Sequence, residues 1–156
     1  MIKIQKEDFN VSTELKTLTS GNVKIGGVAS FIGLVRDLVS PEKNEQTLKH
    51  MTLEHYPKMT ERKLKQIESQ AIGRWPLEAS LIIHRYGKLK PGDQIVLVAC
   101  ASMHRQAAFE SCSFLMDWLK TNAPFWKLEE TAKSKIWVEE RSDDYLAASK
   151  WNKKSK

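Results

Sequence analysis

A chain of 156 residues, 41% hydrophobic and 28% charged, is long enough to enclose a core without disulfides or a structural metal, and its composition excludes disordered and fibrous architectures. No stretch approaches the roughly 18 apolar residues that span a bilayer, and residues 1–5 lack an apolar run with a cleavage site, so the expected compartment is the cytoplasm. The formal net charge of +6 favours an anionic partner: a nucleic acid, a phosphorylated small molecule or an acidic protein.

Residues 2–5 read as a short strand and residues 11–18 as a short helix that Asn10 or Ser12 caps. Residues 23–35 are apolar and punctuated by glycine, the pattern of a bent or bulged strand. Residues 37–47 are the least patterned internal stretch and form a loop, and residues 48–55 alternate as a further strand. From Pro57 the period becomes helical, with Leu64, Ile67 and Ala71 on one face before Gly73. Residues 81–86 and 94–101 read as two strands of a hairpin, joined across the Pro91-Gly92 turn signal. A longer helix runs from about residue 104 to 122, with Ala108, Cys112, Leu115 and Leu119 as its apolar stripe and Pro124 as its stop. Short strands near Trp126 and over 136–138 and a helix over 143–149 complete a single α+β domain of residues 1–150, followed by a basic, frayed tail over 151–156.

Several residues carry chemistry. His104 and Arg105 stand at a helix start, where cations oppose the helix dipole but an anion is welcomed by free N–H groups; a phosphate site and a plain solvated turn fit equally well. Lys120 emerges beside the apolar stripe, where partial dehydration and other cations lower a lysine pKa and make it an acid, a base or a nucleophile. Compensation of the helix C-terminus is the commoner use of such a lysine. Lys127 follows the rigid Ala123-Pro124-Phe125-Trp126 segment, which can hold it against a pocket wall or simply stack with it. Arg36 closes a strand, where active-site groups gather and ordinary exposed arginines also occur. His50, His55 and His84 lack ligand spacing and take structural or surface roles. Cys100 and Cys112 read as buried thiols, since no CxxC pair or metal-ligand spacing accompanies them. No P-loop, GxGxxG, catalytic triad or HExxH occurs.

These signals coincide with the motifs of one family. The segment from Gly26 through Phe31-Ile32-Gly33-Leu34-Val35-Arg36-Asp37, then Leu53-Glu54-His55-Tyr56-Pro57-Lys58-Met59, Ile83-His84-Arg85-Tyr86-Gly87-Lys88-Leu89 with Pro91-Gly92-Asp93, Ser102-Met103-His104-Arg105, Met116-Asp117-Trp118-Leu119-Lys120 and Ala123-Pro124-Phe125-Trp126-Lys127 follow the family's order, closed by Trp137-Val138-Glu139 and Arg141. The chain resembles the large, catalytic subunit family of molybdopterin synthase over about residues 26–141. The loop over 38–46 departs from it, with Ser40-Pro41-Glu42-Lys43 where relatives carry a glycine-containing turn. The resemblance implies an α/β hammerhead-type fold with a mixed or antiparallel sheet and packed helices. It also implies a homodimer of large subunits in a heterotetramer, with a small ubiquitin-like sulfur carrier at each end. The activity implied is sulfur transfer from the carrier's C-terminal thiocarboxylate to cyclic pyranopterin monophosphate, forming the dithiolene of molybdopterin. By resemblance, Lys120 and Lys127 are catalytic, Arg36, His104, Arg105 and Arg141 bind substrate, and Phe31 and Met116 line the channel for the carrier tail. No metal or cofactor is required by this chain.

Two competing readings are a basic nucleic-acid-binding module and a non-catalytic partner of a ubiquitin-like protein. Against the first, no RNP-like motif appears and Trp75, Trp118, Trp126, Trp137 and Trp151 form no stacking strip. Against the second stand the two lysines beside the anion-binding candidates.

Overall fold

The computed structural model describes residues 1–37, 47–138 and 142–152. Its first sheet contains β1 (Ile2–Gln5), β2 (Gly27–Leu34), β4 (Leu77–Arg85) and β6 (Gln94–Ser102). Their spatial order is β1-β4-β6-β2, with β1 parallel to β4 and the other pairs antiparallel. The second sheet is antiparallel, in the order β5 (Gly87–Leu89), β3 (Leu48–His55), β7 (Phe125–Thr131) and β8 (Lys135–Val138). With helices α1 (Val11–Thr19), α2 (Pro57–Arg74), α3 (Arg105–Asn122) and α4 (Ser142–Ser149), the described residues form one α+β domain, as expected.

β4 and β6 pair antiparallel, but the link between them is more than a turn. After β4 the chain leaves the first sheet at Gly87, whose φ of +85° is open to glycine at no steric cost. It then lays β5 against β3, with Leu89 buried beside Met51 and Leu53, before the Pro91-Gly92 turn returns it to β6. The expected hairpin is thus a hinge between two sheets. Arg85 clips this corner, its guanidinium donating to the carbonyls of Lys6 at 3.0 Å and Gln94 at 2.9 Å.

The main core lies between the first sheet and helices α2 and α3. Leu64, Ile67 and Ala71 of α2 and Ala108, Cys112, Leu115 and Leu119 of α3, the two predicted stripes, pack on Ile82, Val98 and Cys100. Each large aliphatic side chain fully removed from water here contributes about 1.5–3 kcal/mol. On the sheet's other face, α1 covers Leu81, Ile83, Leu97 and Ala99 with Val11, Leu15 and Leu18. Its start is capped by the Asn10 side chain, which accepts from the Thr13 N–H at 2.9 Å.

The predicted strand over 23–35 shortens to β2, because Val23 stands in solvent and pairing begins only at Gly27, opposite Ser102. The expected tail also begins too early. Residues Lys150–Asn152 form a 3₁₀ turn that seats Trp151 edge-on against Trp75 and Phe114 at 5.6 and 5.5 Å between ring centroids. Its indole N–H donates to Asp117 at 2.7 Å. An indole with its N–H satisfied buries readily, which a count of terminal lysines conceals. The 38–46 loop and residues 153–156 lie outside the described residues.

Candidate active site

β6 carries the chain to one end of the first sheet, and α3 runs back along it, packed on β6 and β2. His104 and Arg105 therefore lie at the end where β2 begins, and Lys120 at the end where β6 begins. His104 is the N-cap residue, extended at φ −120° and ψ 138°, and its side chain makes no capping hydrogen bond. The first turn holds no acidic residue, and both basic side chains are exposed. Gly26 is part of the same corner, donating to the Ser102 carbonyl at 3.0 Å, and a Cβ on it would overlap the carbonyl oxygen of Met103. Helix N–H groups with no side-chain cap among the described residues, flanked by two cations, can receive an oxyanion.

The other end of α3 opens on a cavity of about 720 Å³, lined by residues 121–127 together with Trp137, Val138 and Tyr145. That volume is in the range of small-molecule sites, about 300–1,000 Å³. Lys127 is half-buried in its wall, whereas Lys120, in the last turn of α3, is exposed. Among the described residues no carboxylate lies within ion-pair distance of Lys120, His104 or Arg105. In β7, Phe125 and Lys127 share one face of the strand and stand opposite His55 and Leu53 of β3.

Behind Phe125 lies His84, on β4 of the first sheet. Its buried imidazole stacks on the Phe125 ring at 3.7 Å and 12°, and its Nδ1 lies 2.8 Å from the Arg85 carbonyl, so Nδ1 donates and Nε2 keeps its lone pair. Burial pushes the His84 pKa down to about 4; the Arg85 carbonyl opposes this, and His55, Lys127 and Lys120 add to it. The ring is neutral at physiological pH. His55, 4.5 Å from Tyr86 and 5.6 Å from Phe125 between ring centroids, is also shifted down, by burial. His55 and His84, expected in structural or surface roles, thus both meet Phe125, a residue of the cavity wall. Their separation along the chain concealed this, since β3 and β4 belong to different sheets.

The remaining predicted residues divide between the two ends. Arg36 is exposed just past β2, beside the turn where Val35 exchanges hydrogen bonds with Asp93 and Gly92, so it shares the Lys120 end of the sheet. Phe31 sits mid-strand opposite Val98, on the face that α3 covers, with its ring against Gly33; the Cys112 thiol reaches its backbone. Met116, one helical turn beyond Cys112, is half-buried on the same seam. Arg141 lies outside the described residues. Cys100 and Cys112 are buried and free, as expected; their mutual hydrogen bond, together with burial, pushes the Cys112 thiol up and holds it neutral. Within one chain the structure does not bring His104 and Arg105 to Lys120. Sixteen residues of helix rise separate His104 from Lys120, about 24 Å.

Among the described residues no helix is long and apolar enough to cross a membrane, and no group of three His, Cys, Asp or Glu side chains is placed to hold a metal. The model of the MoaE protein family matches residues 4–122. A molybdopterin synthase catalytic subunit from Pseudomonas aeruginosa is 49% identical over 96% of this chain and 97% of its own length. Among solved structures, a molybdopterin biosynthesis MoaE protein from Burkholderia ambifaria superposes with a TM-score of 0.82 at 47% identity, covering 97% of both chains. Molybdopterin synthase from Staphylococcus aureus does so with a TM-score of 0.78 at 28% identity, over 88% of this chain and 96% of that one. With a family model spanning most of its length and relatives at nearly half identity end to end, the chain belongs to the MoaE family, the catalytic subunits of molybdopterin synthase.

Proposed function

We propose that this chain transfers sulfur in the cytoplasm from the thiocarboxylate at the C-terminus of a small ubiquitin-like carrier to cyclic pyranopterin monophosphate, building the dithiolene of molybdopterin. The observation that carries this reading is the distribution of cations on α3: an uncapped, acid-free start bearing His104 and Arg105, and a far end where Lys120 stands beside the cavity that holds Lys127. Both substrates are anionic, and the carrier's reacting group is an acyl carbon. Once the sulfur is bonded to the pterin, water adds to that carbon, giving a tetrahedral oxyanion that collapses as the C–S bond breaks, leaving the sulfur on the pterin and a carboxylate on the carrier. An ammonium placed at the developing charge stabilises it more than it stabilises the ground state. Lys120 takes that role, and Lys127, on the cavity wall, binds the substrate or moves its proton.

His104, Arg105, Arg36 and Arg141 bind the cyclic phosphate, where the planar guanidinium suits bidentate contact. Phe31 and Met116, on the seam between β2 and α3, line the path of the carrier's glycine tail, which is narrow and carries no side chains. A single small substrate does not span about 24 Å of helix. The site is therefore assembled in a homodimer, one protomer giving His104 and Arg105 and its partner giving the two lysines, with one carrier per protomer in a heterotetramer. Incubating the purified chain with the pterin precursor and thiocarboxylated carrier tests this reading. Dithiolene product forms, and none forms when the carrier ends in an ordinary carboxylate; no product with either carrier refutes the assignment.

A further inference from the structure

Lys120 and Lys127 belong to different elements, one closing a helix and one inside a strand, and nothing in either element sets their separation. The joining segment is short: Ala123 ends α3, Pro124 has no N–H to pair, and the Phe125 N–H turns back onto the Ala123 carbonyl at 2.8 Å. Phe125 is five residues after Lys120 and two before Lys127, on the same face of β7 as Lys127. Whatever fixes Phe125 fixes the registration of both lysines.

The Phe125 ring lies flat on His84, with centroids 3.7 Å apart and planes 12° from parallel, while His55 stands across at 5.6 Å and 30°. His84 is rooted in β4, between β1 and β6, and its ring is held in orientation by the 2.8 Å hydrogen bond from Nδ1 to the Arg85 carbonyl. The rings join the two sheets at the place where the lysines stand. We propose that His84 is a positioning residue for sulfur transfer: stacked on Phe125, it sets the spacing of Lys120 and Lys127. This rests on the role of the two lysines given above. A ring at this place has to be flat to stack and uncharged to sit near two ammonium groups. The groups facing it, His55 from β3, Lys127 from β7 and Lys120 from α3, all disfavour its protonation, and only the Arg85 carbonyl favours it. A neutral imidazole meets both demands.

Removing the ring in His84→Ala frees Phe125 and misplaces the lysines, and a displacement of about 1 Å in a catalytic group lowers turnover about 100-fold. That loss is expected in kcat for dithiolene formation, in protein shown to be folded by its thermal transition. His84→Phe restores the stack and brings kcat back to within several-fold of wild type. Phe125→Leu, which keeps apolar volume but not the flat ring, loses kcat as His84→Ala does, and the double variant is no slower than either single one, because both break one contact. An activity-independent reading comes from the NMR signals of methylated Lys120 and Lys127: they shift in His84→Ala and return in His84→Phe. Wild-type kcat and unshifted lysine signals in a folded His84→Ala or Phe125→Leu protein overturn the proposal, as do additive losses or a His84→Phe protein as slow as His84→Ala. A wild-type chain that makes no dithiolene refutes the sulfur-transfer reading instead, and the lysine signals still decide whether the stack positions them.

Discussion

Protonating His84 should destabilise this protein over a defined pH interval. The unfolded chain takes up that proton near pH 6.5, the ordinary value, whereas burial holds the folded-state pKa down to about 4. Between these values the unfolded state binds more protons than the folded one, so stability falls as the pH falls. Above pH 6.5 the contribution of the neutral ring is intact, and below about pH 4 both states are protonated and the loss stops growing. The interval between 6.5 and about 4, at roughly 1.4 kcal/mol per pH unit, amounts to about 3 kcal/mol, a large part of a typical domain stability of about 5–15 kcal/mol. Urea unfolding curves of wild type and His84→Phe, recorded from pH 7 to pH 4, isolate it, since phenylalanine does not titrate and the carboxylates are common to both. Wild type should lose about 3 kcal/mol more than the variant across this range, most of it below pH 6. Parallel curves would refute the claim that His84 is buried in its neutral form.

Three further outcomes follow from the site. A dimer mixed from a His104→Ala/Arg105→Ala protomer and a Lys120→Ala/Lys127→Ala protomer should regain one working site; persistent inactivity in a verified heterodimer would confine the site to single chains. Gly26→Ala should destabilise the fold by about 1–3 kcal/mol, because its Cβ meets the Met103 carbonyl and displaces the corner that presents His104; an unchanged melting temperature would contradict that. RNA and DNA should bind weakly and lose affinity steeply with added salt, so tight, salt-resistant, sequence-selective binding in a gel-shift titration would reverse the reading of the positive charge.

The elements that the sequence announced most clearly are those whose pattern is local. The stripes of α2 and α3, the Asn10 cap and the helix stop at Pro124 stand where periodicity and capping place them. What escaped depends on contacts between distant segments. Residues 87–89 look like part of a turn, and only their pairing with β3 makes them a strand. His55 and His84 have no motif spacing, and they meet because two sheets converge on Phe125. Trp151 sits among terminal lysines, and only its aromatic partners, Trp75 just past α2 and Phe114 of α3, mark the domain's edge. Lys120 and Lys127 were singled out through the ordered motifs around them, whereas the cavity that Lys127 lines, next to the end of α3, is a property of the fold.

The central claim, that sulfur moves at the C-terminal end of α3, is tested most directly by the single-turnover rate of dithiolene formation in Lys120→Ala, with carrier binding measured on the same protein. Loss of an ammonium that acts mainly in the transition state should slow turnover about 100- to 1,000-fold while the carrier binds as before. Arginine at position 120 should not restore it, because a delocalised planar fork does not replace a compact amine. A Lys120→Ala protein that forms dithiolene at the wild-type rate would contradict the account.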